Sequence, residues 1–392
     1  MKPWGAAPMS IDYVDARRES ESLRRWRQTQ YARRCRSQAW LLDRVGHGRQ
    51  LTIGQLGALP RPARCGWPLT GVGIRLYEGR AFLHGAQHCA SPWACPLCTP
   101  VIRSRRAQDL RHAVHWWQQT KDAHGLVFVT LTIPHSKSER LGALIDLVAG
   151  SWSRMRGSHA WRRLADRTGI RHHVRSMEIT WSPTSGWHAH LHVLLFTETM
   201  PDAKTLKKSI HMLWAEAVHA LDPDRKPVSK RHGVIVESVT DEGLLLAEYM
   251  SKTPDKRDIA LEMTRGDRKQ GRRAGSMNPF ELLDDGIDLN ERTTRALWCE
   301  YVDSTYRRRT ITWSRKLRTD SGLAGTEPTD RQIIDDTIHG TPVISLTAPA
   351  YRMLRRSPSI IAATLQLVED GQVPLAETVI GQATGMDMDS RS

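Results

Sequence analysis

The spacing of hydrophobic positions in this chain changes from helical to strand-like beyond residue 121. Residues 101–121 carry apolar positions at helical intervals and predict an amphipathic helix. The continuous β-branched run LVFVTLTI (126–133), bounded by glycine and proline, predicts a buried strand. The segments HHVRSMEITW (172–181) and WHAHLHVLLF (187–196) flank the turn SPTSG, so they predict an antiparallel hairpin.

Further helices and a strand follow the same alternation. Residues 139–166, 203–220 and 241–253 predict helices, and residues 232–239 predict a strand. The order β-α-ββ-α-β-α favours an α+β sandwich, in which a mixed or antiparallel sheet carries its helices on one side.

Three histidines of the second hairpin strand share one face of the predicted sheet. Side chains alternate along a strand, so His188, His190 and His192 project together. If the hairpin pairs residues whose numbers sum to about 368, Glu178 lies opposite His190, whereas a one-residue slip would turn it away. Two imidazoles and a carboxylate leave coordination positions open for substrate oxygens, which predicts a metal site. His188 is either a further ligand, a neighbour of the ligands or a DNA contact, and a solvent-facing histidine surface is the alternative.

A tyrosine follows in the predicted helix 241–253. Tyr249 and Lys252 are three residues apart and so lie on one helical face. A phenol with a reference pKa of about 10 needs a cation, a base or a metal to act as a nucleophile, and Lys252 could supply the cation. Taken alone, the pair fits a half-buried tyrosine beside a solvated lysine better, and it favours a nucleophile only through its place after the histidine strand.

A group of four cysteines precedes the first predicted strand, LVFVTLTI (126–133). The four cysteines that could supply thiolate ligands are Cys65, Cys89, Cys95 and Cys98. The two-residue gap in CPLC is typical of tetrahedral zinc, which can organise a segment too small for its own core. A redox pair is the competing interpretation, and His84 or His88 could replace the first cysteine.

The charge balance favours an anionic partner. Lys and Arg number 57 against 42 Asp and Glu, a formal net charge of +15. The candidate DNA contacts are Arg103, Arg105 and Arg106 after the cysteines and Lys256 further on; a solvated helix face explains the arginines nearly as well. No stretch approaches the roughly 20 apolar residues that span a bilayer, and no signal peptide begins the chain. We therefore expect a cytoplasmic protein without a membrane partner.

Three sequence blocks occur in a fixed order, FVTLTIPH (128–135), GWHAHLHVLLF (186–196) and EYMSKTPDK (248–256). Together they resemble the motifs of HUH-type rolling-circle replication initiators, above all the Rep proteins of small actinobacterial and Gram-positive plasmids. The resemblance covers roughly residues 61–318. It implies an antiparallel (mixed) five-stranded sheet flanked by helices, preceded by a small zinc-binding module.

The resemblance also implies a chemistry. His190 and His192 would be the metal-binding pair with Glu178 as the third ligand, for Mg²⁺ or Mn²⁺. Tyr249 would attack a phosphate of single-stranded or hairpin-extruded origin DNA, giving a 5′-phosphotyrosyl link and a free 3′-OH primer. The implied partners are plasmid origin DNA, a host helicase and a DNA polymerase, with the oligomeric state open. Some relatives carry a glutamate four residues before the tyrosine, where this chain has Leu245, so the termination step is not predicted.

Five segments are predicted from these patterns. They are a basic N-terminal arm (1–60), a cysteine-rich zinc module (61–110), an endonuclease core (111–262), a basic extension (263–320) and a C-terminal tail or small helical domain (321–392).

Two other functions stay open. An HUH transposase or relaxase would share the chemistry, although relaxases carry their tyrosine ahead of the histidines. A zinc-containing DNA-binding regulator without catalysis would explain the charge and the cysteines, but not the histidine face. The discriminating observation is whether Tyr249 lies over that face.

Overall fold

A computed structural model describes residues 13–44, 52–120, 125–239, 275–287, 289–336 and 339–385. Within these ranges, no helix is both long and apolar enough to cross a membrane. The described residues divide into two compact units. The first takes residues from Met1–Gln50, Ala63–Cys89 and Asp336–Ser392, and the second from Leu51–Pro62 and Ala90–Asp335.

Helices and strands alternate through both units. The helices are α1 (Tyr13–Asp43), α2 (Ile53–Ala58), α3 (Cys98–Thr120), α4 (Leu141–Gly157), α5 (His159–Thr168), α6 (Ala203–Leu221), α7 (Glu291–Thr305), α8 (Leu317–Asp320), α9 (Asp330–Asp335), α10 (Ala348–Leu354), α11 (Pro358–Glu369) and α12 (Val373–Thr384). The strands are β1 (Pro68–Tyr77), β2 (Arg80–Ala86), β3 (Gly125–Thr132), β4 (Ile170–Ser182), β5 (Gly186–Thr197), β6 (Val234–Ser238), β7 (Ile311–Trp313) and β8 (Thr341–Ser345). Short 3₁₀ helices span Arg61–Arg64 and Pro279–Leu283.

The first unit is built on a three-stranded antiparallel sheet in the order β2-β1-β8. Helix α1 is joined to α11 by a nearly buried ion pair, in which Arg27 Nη2 lies 2.6 Å from Glu369 Oε1. The same carboxylate oxygen accepts a hydrogen bond from the backbone N–H of Ala81 on β2, at 2.8 Å. One carboxylate thus links two helices and the sheet. No strand was predicted in this part of the chain.

The second unit contains a five-stranded antiparallel sheet in the order β6-β3-β5-β4-β7. In its central hairpin Glu178 pairs with His190 and Trp181 with Trp187, which confirms the predicted register. Gly186 begins β5 with φ 73°, and a Cβ there would approach Lys137 O to 2.5 Å. Only glycine therefore fits this turn without displacing the neighbouring backbone.

Helices cover both faces of this sheet. On the histidine face, Trp117 of α3 meets Phe196 of β5 edge-on, with ring centroids 5.8 Å apart. On the opposite face, Trp152 of α4 contacts His173 of β4, at 5.4 Å. The α+β class and the sheet flanked by helices are confirmed, but the expectation of helices on one side is wrong. Periodicity shows that a helix has an apolar stripe, not which face of the sheet it covers.

Most element boundaries agree with the sequence patterns. The four predicted strands correspond to β3, β4, β5 and β6. The predicted helix 139–166 is two helices, because Ser158 ends α4 and its Oγ accepts a hydrogen bond from Trp161 N as the N-cap of α5. The fifth strand, β7, has only three residues and was not predicted. The predicted helix 241–253 lies outside the described residues.

Candidate active site

Glu178, His190 and His192 converge on the histidine face of the sheet. His190 Nε2 lies 3.0 Å from His192 Nε2 and 3.2 Å from Glu178 Oε2, and His192 Nε2 lies 2.6 Å from the same oxygen. Their side chains are 12%, 7% and 11% exposed for His190, His192 and Glu178. The hairpin register produces this convergence, because it places the carboxylate directly beside the first imidazole.

The three donor atoms fit a divalent cation. Ligands held at about 2.1 Å in neighbouring octahedral positions lie about 3 Å apart, and the three separations bracket that value. Two imidazole nitrogens and one carboxylate oxygen form a facial set that leaves the other positions open. These residues could therefore hold a metal and still admit oxygen ligands from a substrate.

His192 is held more firmly than His190. Its Nδ1 lies 3.2 Å from Thr130 Oγ1 on the neighbouring strand, and its ring stacks on Phe128 with centroids 5.0 Å apart. If Nε2 faces a metal, Nδ1 carries the proton and donates to the threonine oxygen. Among the described residues, His190 Nδ1 has no hydrogen-bond partner. Thr130 thus fixes the orientation of one of the two imidazoles.

His188 lies on the same face but contacts a different partner. Its Nδ1 is 2.9 Å from His135 Nε2, whereas the group that could hold a metal contains only the other three side chains. Burial lowers the pKa of His135 and so favours its neutral form. His135 was not proposed as a site residue. Its only sequence signal is its position at the end of the block FVTLTIPH, directly after β3.

The four predicted cysteine ligands form one cluster. The Sγ atoms of Cys65, Cys89, Cys95 and Cys98 lie within 4.8 Å of one another, and all four residues are buried. Tetrahedral zinc with Zn–S bonds of about 2.3 Å sets its sulfur atoms about 3.8 Å apart. The backbone N–H of Cys98 donates to Cys95 Sγ at 3.4 Å, a contact suited to a thiolate. The cluster therefore fits a zinc ion.

The arginines at the start of α3 differ in exposure. Arg103 is 6% exposed, donates to Pro92 O at 3.1 Å and lies over the Trp93 ring. Arg106 is also 6% exposed and is ion-paired with Glu327 and Asp330. The predicted DNA contact is not supported for these two, because their guanidinium groups are used within the fold. Arg105 is exposed, 3.4 Å from Asp109.

The predicted nucleophile and its neighbours lie outside the described residues. These are Tyr249, Lys252 and Lys256. Their roles remain predictions from the sequence.

Comparisons with known proteins agree with the sequence motifs. Residues 80–230 match the profile of the replication protein family Rep_1. A protein named Protein rep from Streptomyces lividans is 28% identical over 330 residues, covering 68% of this chain and 71% of the relative. A neomycin resistance protein from Streptomyces cyanogenus is 28% identical over 146 residues, covering 31% of this chain and 33% of that protein. No solved structure matches. The resemblance of this chain to plasmid replication initiators of the Rep type is thereby confirmed.

Proposed function

We propose that this protein initiates plasmid replication by nicking origin DNA at the Glu178, His190 and His192 centre. The observation that carries the proposal is the convergence of these three donor atoms within 3.2 Å of one another. The similarity to a Rep protein over 68% of the chain supports a role in replication. The net charge of +15 supports binding to a polyanion.

The three side chains would hold Mg²⁺ or Mn²⁺. When bound, the ion would polarise a phosphate oxygen and offset the charge that develops on it. The imidazoles and the carboxylate would set the ion's position, and α3 packs on the same face of the sheet. The other coordination positions would receive oxygens of the DNA backbone.

Tyr249 would provide the nucleophile. Its phenolic oxygen forms a bond to phosphorus, and the bond from phosphorus to the 3′ oxygen breaks. The phenol loses its proton in this step, and the departing 3′ oxygen takes up a proton to become the free 3′-OH. The products are a 5′-phosphotyrosyl link and a primer that a host polymerase can extend behind a helicase. Lys252, one helical turn beyond the tyrosine in the predicted helix, would stabilise negative charge on the phosphate.

A cleavage assay tests the proposal. Labelled single-stranded oligonucleotides tiled across the replicon that encodes the chain would be incubated with Mn²⁺ or EDTA and run on denaturing gels. The wild type should give a metal-dependent nick and a protein–DNA adduct, and Tyr249→Phe should give neither. Glu178→Gln should weaken cleavage, because it removes the anionic ligand. Tight binding without cleavage of any tile would favour a non-catalytic regulator.

The cysteine cluster would hold a structural zinc ion. The four cysteine Sγ atoms, which lie within 4.8 Å of one another, support this role. Elemental analysis of the purified protein should give one zinc per chain, and Cys95→Ser should lose it. Cys299, which lies outside the cluster, is the matched control; Cys299→Ser should retain the metal. Zinc retained in Cys95→Ser would contradict the assignment.

A further inference from the structure

A basic cleft lies along strand β7, at the edge of the five-stranded sheet. Its volume is about 610 Å³, and it is formed by two chain segments, 309–319 and 325–330, together with Arg106 of α3. The volume lies within the range of about 300–1,000 Å³ typical of ligand sites. None of the candidate metal ligands Glu178, His190 and His192 lines it.

The cleft begins close to the metal centre. Strand β7 pairs with β4, so that Ile311 lies opposite Ser176. One step along, Thr310 O accepts a hydrogen bond from the backbone N–H of Met177, the residue before Glu178. Ile311 belongs to the hydrophobic cluster on the histidine face, and Trp313 packs against that cluster. The cleft therefore begins beside β4, the strand that carries Glu178.

The charge of the cleft is positive where it is open. Its two carboxylates, Glu327 and Asp330, are paired with Arg106 at 2.5 Å and 3.3 Å. Arg318 also lines the cleft, but its charge is paired at 2.9 Å with the buried carboxylate of Asp109, which does not line it. The exposed cations that line the cleft are Arg309, Arg315 and Lys316.

The remaining polar groups of the cleft suit phosphate. Five of the lining side chains are serine or threonine hydroxyls, which together with Arg and Lys make most protein contacts to nucleic-acid backbones. Lys316 adopts φ 71°, a left-handed conformation that non-glycine residues rarely take and that recurs at ligand sites. Cations and hydroxyls along one groove match a backbone with one charge per nucleotide.

We propose that this cleft binds the sugar–phosphate backbone of the single-stranded DNA that leads to the metal centre, with Arg315 and Lys316 contacting phosphates. The inference rests on the proposed function for the identity of the strand. It adds a second binding surface, next to the metal centre, that reads no sequence but sets the direction of the strand. The cleft would thus hold the strand beside the nick while the metal centre holds the scissile phosphate.

The test is the salt dependence of DNA binding. The double variant R315A/K316A would be compared with R162A/R163A, which removes the same charge from exposed positions in α5. Binding of a labelled single-stranded oligonucleotide from the origin would be measured by anisotropy in EDTA, between about 50 and 200 mM salt. The slope of log K against log salt is negative, and each lost phosphate contact on a single strand reduces its magnitude by about 0.7. R315A/K316A should therefore reduce the magnitude of the slope by about 1.4 and weaken binding most at low salt. The control should keep the wild-type slope.

The outcomes separate this inference from the proposed function. Equal slopes for R315A/K316A and R162A/R163A would overturn the cleft assignment and leave nicking at the metal centre untouched. Each lost contact changes the slope by about 0.9 on duplex DNA against about 0.7 on a single strand. A larger number of lost contacts on duplex DNA than on single strands would also overturn it, because the cleft would then hold flanking duplex. A reduced slope on single strands, in a protein that never cleaves, would support the cleft and refute the nickase. Circular dichroism of both variants would show that each is folded.

Discussion

Thr130→Val should weaken metal binding without disturbing the fold. Valine keeps the shape of threonine and suits a strand, so the change removes only the 3.2 Å contact between Thr130 Oγ1 and His192 Nδ1. Loss of such a supporting contact typically lowers metal affinity about 10- to 100-fold, which corresponds to about 1.4–2.8 kcal/mol. The free energy of unfolding without metal should change by less than about 1.5 kcal/mol, the size of one neutral hydrogen bond.

Thr132→Val is the matched control. Thr132 lies two residues further along β3 on the same face, opposite His190, but its hydroxyl donates to His232 O at 2.8 Å. Calorimetric titration of Mn²⁺ into both variants should show weaker binding for Thr130→Val and wild-type affinity for Thr132→Val. Equal affinities in the two variants would show that Thr130 does not orient His192 for a metal.

Two further predictions concern stability. Asp109→Ala should destabilise the fold by about 3–5 kcal/mol in urea denaturation, because it leaves the buried Arg318 guanidinium without its carboxylate. Asp335→Ala, which breaks an exposed ion pair with Arg331, should lower the free energy of unfolding by less than about 1 kcal/mol. Equal losses of stability in the two variants would contradict the expectation for Asp109. Burial lowers the pKa of His173 to about 3, so the unfolded chain takes up a proton more readily and stability falls as the pH drops from about 6.5 towards 3. At pH 5 the loss in the free energy of unfolding amounts to about 2 kcal/mol relative to neutral pH. His173→Gln should therefore make stability less dependent on pH between about 6.5 and 3. An unchanged pH dependence in this range would show that His173 is not its cause.

The histidine face could be predicted from the sequence because strand geometry leaves few choices. Alternation fixes which residues share a face, and one assumption about register was enough to place Glu178 beside His190. The cysteine cluster was predictable for a similar reason, since ligand spacing is dictated by the metal. Local rules therefore identified both groups of side chains that could hold a metal.

Long-range contacts could not be predicted in the same way. β1 pairs with β8, which lies more than 250 residues later, and no local pattern encodes that partner. Arg103 and Arg106 look like a basic surface in the sequence, yet their counterparts are Pro92 O in one case and carboxylates more than 200 residues away in the other. The basic cleft depends on the same long-range packing. Such features follow from the tertiary fold rather than from periodicity.

Tyr249 is proposed to form a covalent bond with origin DNA at the metal centre. Mass spectrometry of the protease-digested adduct, formed with Mn²⁺ on a cleaved oligonucleotide, would identify the residue that carries the DNA. We expect a nucleotide-modified peptide that contains Tyr249 and that forms in lower yield when Glu178→Gln replaces the wild type. Modification at a different residue, or an equal yield of modified peptide from Glu178→Gln, would contradict it.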